Sequence, residues 1–260
     1  MAAFRERFSA ARPLIGVIHL PPLPGYAESP GLAAVVAHAL AELATFRVGG
    51  LDGVLVENEN DRPHRVEAGR ETIAVMTTVT RALVGAAGRL PIGIEILLND
   101  PEASLAVARA ADADFIRTDY FSDAMSRPVH GLMRIAPQEV IAYRARIGAE
   151  RVLVLADIQV KYAQMIDPRP LAESARAARE AGADAIVVTG TRTGEAPSPQ
   201  EVLAARDGAG DCPVLVGSGL APDNARELLE AADGAIVGTS LMREGRANPA
   251  QVAAIAAERA

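Results

Sequence analysis

The sequence predicts an α/β protein folded as one single-domain (β/α)8 TIM barrel over residues 1–260. Three observations predict it. Short runs rich in Val, Ile and Leu recur eight times, each followed by a longer, Ala-rich amphipathic stretch, the pattern of repeated strand–helix units. The short runs are nearly continuous in apolar residues, as expected of parallel strands covered on both faces. With 260 residues, 50% of them apolar, the chain has the length and the core material for eight such units. An open doubly wound sheet is the competing topology; evenly sized units without a switch-point fingerprint count against it.

The first unit pairs a strand at 14–20 with a helix at 31–48, and the second a strand at 53–58 with a helix at 66–87. Strands at 92–98 and 115–119 precede helices at 101–111 and 137–147. Strands at 152–159 and 185–190 precede helices at 170–181 and 199–207, and strands at 214–219 and 235–240 precede helices at 222–231 and 249–259. Asn99-Asp100-Pro101 and Ala221-Pro222-Asp223 place a proline at or near a first helical turn, where its missing N–H costs nothing. Segments 48–52 and 181–184 supply a glycine that stops a helix and a tight entry into the next strand. No linker-like stretch divides the chain. Only 120–135, after the fourth strand, exceeds an ordinary connection, and its position makes it a lid or substrate loop.

Composition excludes several function classes. The net charge of -7 and the lack of a basic stripe argue against a nucleic-acid partner. A single cysteine, Cys212, forms no internal disulfide and suits a reducing compartment, so a cytoplasmic location is expected. No apolar run approaches the roughly 20 residues of a membrane span, and residues 1–12 lack a signal-peptide core. Peripheral membrane contact stays open. A homo-oligomer is expected.

In this fold the chemistry belongs at the C-terminal ends of the strands. His19 ends the first strand, Glu57 and Asn58 the second; Glu95 lies in the third with Asn99 beyond, and Arg117 and Asp119 end the fourth. Asp157, Gln159 and Lys161 follow at the fifth, Thr189 and Gly190 at the sixth. The seventh and eighth strands finish in Gly217-Ser218-Gly219 and Gly238-Thr239-Ser240. Either triplet alone reads as a tight turn. The pair, in the two units where barrels hold phosphate, favours a nest of backbone N–H groups for a dianion, with a short helix starting after Ser240.

Lys161 is the single lysine among 26 basic residues. A lysine amine acts as a base or forms an imine, which arginine does not; a surface lysine is the competing reading. Glu57 and Asp157 are carboxylates on apolar strands and must be paired, metal-bound or catalytic. A salt bridge to Lys161 or Arg117 weighs as much as catalysis. The two carboxylates leave room for a divalent metal, but the sequence shows no ligand spacing and requires no cofactor. His19 has the pKa range of an acid or base, and Arg117 would stabilise developing negative charge. His38 and His64 carry no specific task by position, while His130 in the long loop could close over a ligand. Segment 189–194 reads as a wrap for a phosphate or sugar, or as an ordinary connection. The proline run Pro21-Pro22-Leu23-Pro24-Gly25 fixes an extended loop over the mouth.

Ile15-Gly16-Val17-Ile18-His19-Leu20 running into that proline segment, Asp52-Gly53-Val54-Leu55-Val56-Glu57-Asn58, Ala156-Asp157-Ile158-Gln159-Val160-Lys161 and the two glycine-ended strands together resemble the BtpA/SgcQ family, as do 113–117 and 186–194. The resemblance spans almost the whole chain. It implies a ribulose-phosphate-binding-barrel-like protein. One cyanobacterial member is named for stabilising photosystem I, and other relatives accompany sugar-uptake and sugar-phosphate genes, which implies carbohydrate metabolism. Three positions depart from the family pattern: Tyr162 stands where His is common, and Glu95 and Leu98 where Asn and Arg are common. The expected function is therefore an enzyme of lyase, isomerase or glycosyl-transfer or hydrolysis type acting on a small phosphorylated metabolite. The alternative is a non-catalytic assembly factor for a membrane complex such as photosystem I.

Overall fold

The computed structural model describes residues 2–258 and closes eight parallel strands into one barrel. The strands are β1 Leu14–His19, β2 Gly53–Glu57, β3 Ile92–Glu95, β4 Phe115–Thr118, β5 Leu153–Ile158, β6 Ala185–Val188, β7 Val214–Val216 and β8 Gly234–Val237. They neighbour one another in chain order, and β8 returns to pair with β1 through Leu14 opposite Ala235. Helix α1 Ala2–Arg7 precedes the barrel. One helix then follows each strand: α2 Leu32–Val48, α3 Arg70–Ala87, α4 Pro101–Ala111, α5 Pro137–Arg146, α6 Leu171–Glu180, α7 Pro199–Ala209, α8 Ala225–Ala231 and α9 Pro249–Ala257. The fold class read from the sequence is the one observed. Residue 259 of the last predicted helix, and the outermost residues 1 and 260 of the predicted domain, lie outside the described residues.

Continuous apolar strands are needed because both faces of the sheet are buried, each by a different partner. One parity of each strand packs inside the barrel, where Ile15, Val17, Leu55, Phe115, Leu153, Leu155, Val187, Leu215 and Ile236 fill the interior. The other parity, including Ile18, Val54, Val56, Ile94, Ile116 and Val154, packs against the helices. The bottom of the barrel is closed by the start of the chain: Phe4 and Phe8 stack with centroids 4.8 Å apart, and Phe8 meets Phe115 edge-on at 5.6 Å. The sequence pattern predicts no helix here.

A repeated aspartate pins the register at this bottom end. Asp52, Asp114, Asp184 and Asp233 stand just before the even-numbered strands. Their carboxylates accept the backbone N–H of Leu14, Ile92, Val154 and Val214, the first or second residues of the odd-numbered ones, at 2.9–3.0 Å. Each aspartate's own N–H donates back to the carbonyl of the same residue at 2.8 Å or less. Two bonds per junction hold neighbouring strands in step, since a one-residue slip would turn every side chain to the wrong face.

Several element limits differ from those read in the sequence. Strand β3 ends at Glu95, not at 98, because side chains and loops capture the next N–H groups: Ile96 donates to Ser104 Oγ, Leu97 to Asn58 Oδ1 and Leu98 to the Arg65 carbonyl. Strands β7 and β8 likewise stop at Val216 and Val237, and Thr239–Leu241 forms a 3-10 turn. Helix α3 starts at Arg70 since the Ala68 N–H is held by Asp100. Pro222 lies in a turn ahead of α8, closed by Ala221 N–H donating to Asn224 Oδ1. Pro101 does open α4, behind an Asp100 cap that accepts from Ala103 N–H at 2.9 Å.

Segment 120–135 carries two short strands, Met125–Arg127 and Gly131–Met133. With Gln164–Met165 from the connection after β5 they form a three-stranded antiparallel flap. Asp123 and Arg169 pair beneath it, tying the two connections together.

Candidate active site

The alternation that fills the barrel with apolar side chains also selects which polar residues face inward at its top. Continuing the interior parity of each strand upward gives His19, Glu57, Glu95, Arg117, Asp157, Thr189, Gly217 and Gly238. A polar cluster thus replaces the apolar layers at the C-terminal ends.

Arg117 is its hub. The guanidinium donates to both oxygens of Asp157, from Nε at 2.7 Å and from Nη2 at 2.9 Å. Its Nη1 lies 3.5 Å from Glu57, and Nε 3.7 Å from Glu95. Arg117 is 5% exposed and Asp157 fully buried. The surrounding carboxylates hold the guanidinium well above its ordinary pKa against the opposing effect of burial. With Asp119, four buried carboxylates share this one buried cation. Burial drives the carboxyls of Glu95 and Asp119 well above the usual range, reinforced by the neighbouring carboxylates and opposed by Arg117. Burial also raises Glu57, against Arg117. Glu57 and Glu95 share a hydrogen bond that favours the proton on Glu95. Asp119 differs from its neighbours, because its carboxyl makes no hydrogen bond among the described residues. His19 Nε2 stands 3.6 Å from Glu57, and burial lowers its pKa so that the ring is neutral near pH 7.

Two connected spaces open above this cluster. The larger is a cavity of about 610 Å³ whose floor is Glu57, Glu95, Arg117 and Asp119. The smaller, about 50 Å³, lies between His19 and the segments Gly217-Ser218-Gly219 and Gly238-Thr239. Glu57, Arg117, Lys161 and Thr193 border both. Of the residues lining the smaller cleft, Ser218, Gly219 and Thr239 have backbone N–H groups without an intrachain acceptor among the described residues, and Ser240 stands just outside the lining. Such a ring of free amides is suited to an anion.

The predicted residues divide into those facing these spaces and those that build them. Lys161 faces both and makes no hydrogen bond or ion pair within the described chain; its competing role as a carboxylate partner is taken by Arg117. Asp157 lines neither space and positions Arg117. Asn58 points outward, donating to Asp61 and accepting the Leu97 N–H, and so shapes the loop after β3. Asn99 sits behind Asp119 with a buried, unpartnered Oδ1, and Thr189 likewise has a buried, unpartnered hydroxyl. Ser218 Oγ accepts the Gly190 N–H at 2.9 Å and donates to the Glu195 carbonyl at 2.7 Å, while Ser240 Oγ donates to the Leu220 carbonyl. These hydroxyls brace the cleft.

The glycines also separate. A Cβ on Gly190 would lie 2.4 Å from the Glu195 carbonyl, and one on Gly219, where φ is +70°, 2.1 Å from Ala196 N. Both are required for the connection after β6 to seat against β7. At Gly238 a Cβ would come no closer than 3.4 Å to the His19 ring and 3.6 Å to Val17, ordinary van der Waals contact. Glu57 and Asp157 do not converge on one point, and among the described residues no three His, Cys, Asp or Glu side chains are grouped to hold a metal. Cys212 stands apart from the site, its thiol pushed up to about 12 by burial.

Residues that sequence reasoning misses come from the flap and loops. Arg127 reaches the cavity from the flap and donates to Tyr120 Oη at 2.9 Å. Glu59, Arg62 and Leu97 also line it, as does His64, which carried no expected task; Leu98 and Tyr162, two of the departures from the family pattern, and His130 of the long loop line it as well. Asp119 is visible at a strand end, and its parity with Arg117 is the signal that marks it as inward.

The BtpA family model matches residues 10–259. An uncharacterized protein of Pyrococcus abyssi is 36% identical over 240 residues, covering 91% of this chain and 90% of its own. A Synechocystis protein named Photosystem I biogenesis protein BtpA is 35% identical over 250 residues, covering 94% and 85%. Among solved structures, 3-hexulose-6-phosphate synthase superposes with a TM-score of 0.61 at 18% identity over 95% of this chain and all of its own, a likeness of fold. No helix among the described residues is long and apolar enough to cross a membrane.

Proposed function

The chain belongs to the BtpA family, and from its site we propose that it is an enzyme for a small phosphorylated, sugar-phosphate-like metabolite. The observation that carries this reading is the cleft lined by the unpartnered amides of Ser218, Gly219 and Thr239, which shares Glu57, Arg117, Lys161 and Thr193 with an acid-lined cavity. The phosphate would sit on those amides, near Lys161 and the neutral His19. The rest of the molecule would then extend over Glu57, Glu95 and Asp119.

The cluster suits general acid–base chemistry, which needs a proton donor and an acceptor in reach of one substrate. Glu95 and Asp119, whose carboxyls burial pushes well above the usual carboxylate range, are the donors. His19, its pKa lowered by burial, is the acceptor. Arg117, locked by Asp157, supplies fixed positive charge where an oxyanion or enediolate would develop, at no reorganisation cost. The phosphorylated sugar in the name of 3-hexulose-6-phosphate synthase is consistent with this use of the fold. The name of the Synechocystis relative suggests an assembly role instead. That role calls for an exposed apolar or charged patch away from the mouth; the exposed large apolar residues are Leu32 and Val48 on α2, Leu203 on α7, Val66, and Val129, Leu132, Tyr162 and Ile166 in the connections at the mouth.

Thermal-shift measurements with inorganic phosphate and phosphorylated sugars test the proposal. Wild type should be stabilised, and Gly238→Asp, whose Cβ meets no atom closer than 3.4 Å and whose carboxylate brings a negative charge to the cleft, should lose the response while still melting cooperatively. No stabilisation of wild type by any of these ligands, or a response unchanged in Gly238→Asp, would overturn it.

A further inference from the structure

The two spaces differ in character, and the difference bears on what the phosphate is attached to. A phosphate and a pentose reaching from the small cleft would occupy its amides and the acid floor, leaving the outer part of the 610 Å³ cavity unfilled. Beyond the acid floor the lining is mixed: Leu97 and Leu98 after β3, Pro128 and Val129 of the flap and Tyr162 after β5 give it apolar faces, and Arg62, His64 and Arg127 give it polar edges. Such a wall suits a flat group with an apolar face and a polar rim better than a second sugar, whose hydroxyls would lose water against the apolar faces.

Tyr162 is held there at a backbone cost. Its φ is +62°, a conformation that a bulky residue keeps only when its surroundings impose it. Three contacts do so. The phenol oxygen accepts the Thr193 N–H at 2.9 Å, the Tyr162 N–H donates to the Thr191 carbonyl at 3.2 Å, and the Arg127 guanidinium lies 5.7 Å from the ring centroid. The ring is still 45% exposed. A strained, braced aromatic facing a cavity is a stacking platform.

We propose that the outer chamber binds a flat, apolar ring carried by the phosphorylated sugar. The substrate class is then a phosphorylated glycoside bearing a ring, such as a nucleoside monophosphate or a ring-substituted ribosyl phosphate, and not a bare sugar phosphate. This rests on the phosphate reading above and extends it from the small cleft to the whole cavity. Tyr162, Leu97 and Leu98 are the specificity-determining residues, and the acid floor lies beneath the bond between sugar and ring.

Calorimetric titration of the full chain with inorganic phosphate, ribose 5-phosphate and adenosine 5′-monophosphate tests it. The nucleotide should bind tighter than ribose 5-phosphate by roughly tenfold or more, the range of one base–aromatic stack. Tyr162→Ala should erase that margin, so that the variant binds the nucleotide no tighter than it binds ribose 5-phosphate. Tyr162→Phe, which keeps the ring and loses only the bond to Thr193, should preserve it and controls for loop disruption. Equal or tighter binding of ribose 5-phosphate, or a margin that survives in Tyr162→Ala, overturns the ring chamber and leaves the phosphate reading standing. If none of the three ligands binds, the phosphate reading itself fails and this inference with it.

Discussion

Replacing Arg117 by methionine removes the one buried cation of the cluster and keeps most of the side chain's volume. In the native chain Asp157 is fully buried and receives both of its hydrogen bonds from this guanidinium, at 2.7 and 2.9 Å. Without it, a carboxylate remains in the barrel interior beside Glu57 and Glu95 with no positive partner in contact. Breaking a buried pair from one side costs about 3–5 kcal/mol. For a chain of this length each kcal/mol lowers Tm by about 2–4 °C, so a fall of roughly 10 °C is expected. The loss should depend on pH in a defined direction. Protonating the orphaned carboxyl removes the unpaired charge, so the deficit relative to wild type shrinks as pH falls from 8 towards 5. The double variant Arg117→Met with Asp157→Leu should recover most of the stability, since an apolar pair of similar volume carries no desolvation penalty. Urea unfolding at several pH values measures all three. The reasoning is falsified if Arg117→Met costs less than about 1 kcal/mol at pH 8, or if the double variant is no more stable than the single.

Three other predictions follow from the same geometry. Because burial raises the folded-state pKa of Glu95 above its unfolded value, its proton stabilises the fold fully at low pH, and that contribution is lost as pH rises through the folded pKa. Glu95→Gln should therefore flatten the decline of stability on the alkaline side, and an unchanged slope in urea unfolding at pH 5, 7 and 9 would count against it. Lys161→Ala should leave Tm within the range of an ordinary surface change, about 0.5 kcal/mol, because Lys161 has no ion pair to lose among the described residues; the same variant should weaken phosphate binding in the thermal-shift assay, and a large stability loss would show a structural role. Asn58→Ala strips the Leu97 N–H and Asp61 of buried partners and should cost about 1–3 kcal/mol, read by thermal melting; a neutral result would mean that water replaces the amide.

The eight units are legible in the sequence because each is a local pattern, an apolar strand followed by a longer helical run, several of them marked by a proline near the start or a glycine at the end. The inward set of His19, Glu57, Glu95, Arg117 and Asp157 is legible as strand ends, and the period of two along each strand separates it from Asn58, which has the opposite parity to Glu57. The N-terminal plug is not legible. The meaning of helix Ala2–Arg7 depends on Phe4 packing on Phe8 and Phe8 meeting Phe115 across more than 100 residues of chain. The flap is hidden for the same reason, since Met125–Arg127 pairs with Gln164–Met165 from another connection.

The sequence by itself determined the barrel, its family and the list of polar residues at its mouth, because periodicity and turn chemistry act over a few neighbouring residues. Only the tertiary structure decided how those residues share their charges. It gave Asp157 to Arg117, left Lys161 and the Asp119 carboxyl facing the cavity, and brought Tyr162 to the same chamber as Leu97 and Leu98. Pairing, burial and the pKa values that depend on them arise from distances between strands that are remote in the chain, and no local pattern encodes those distances.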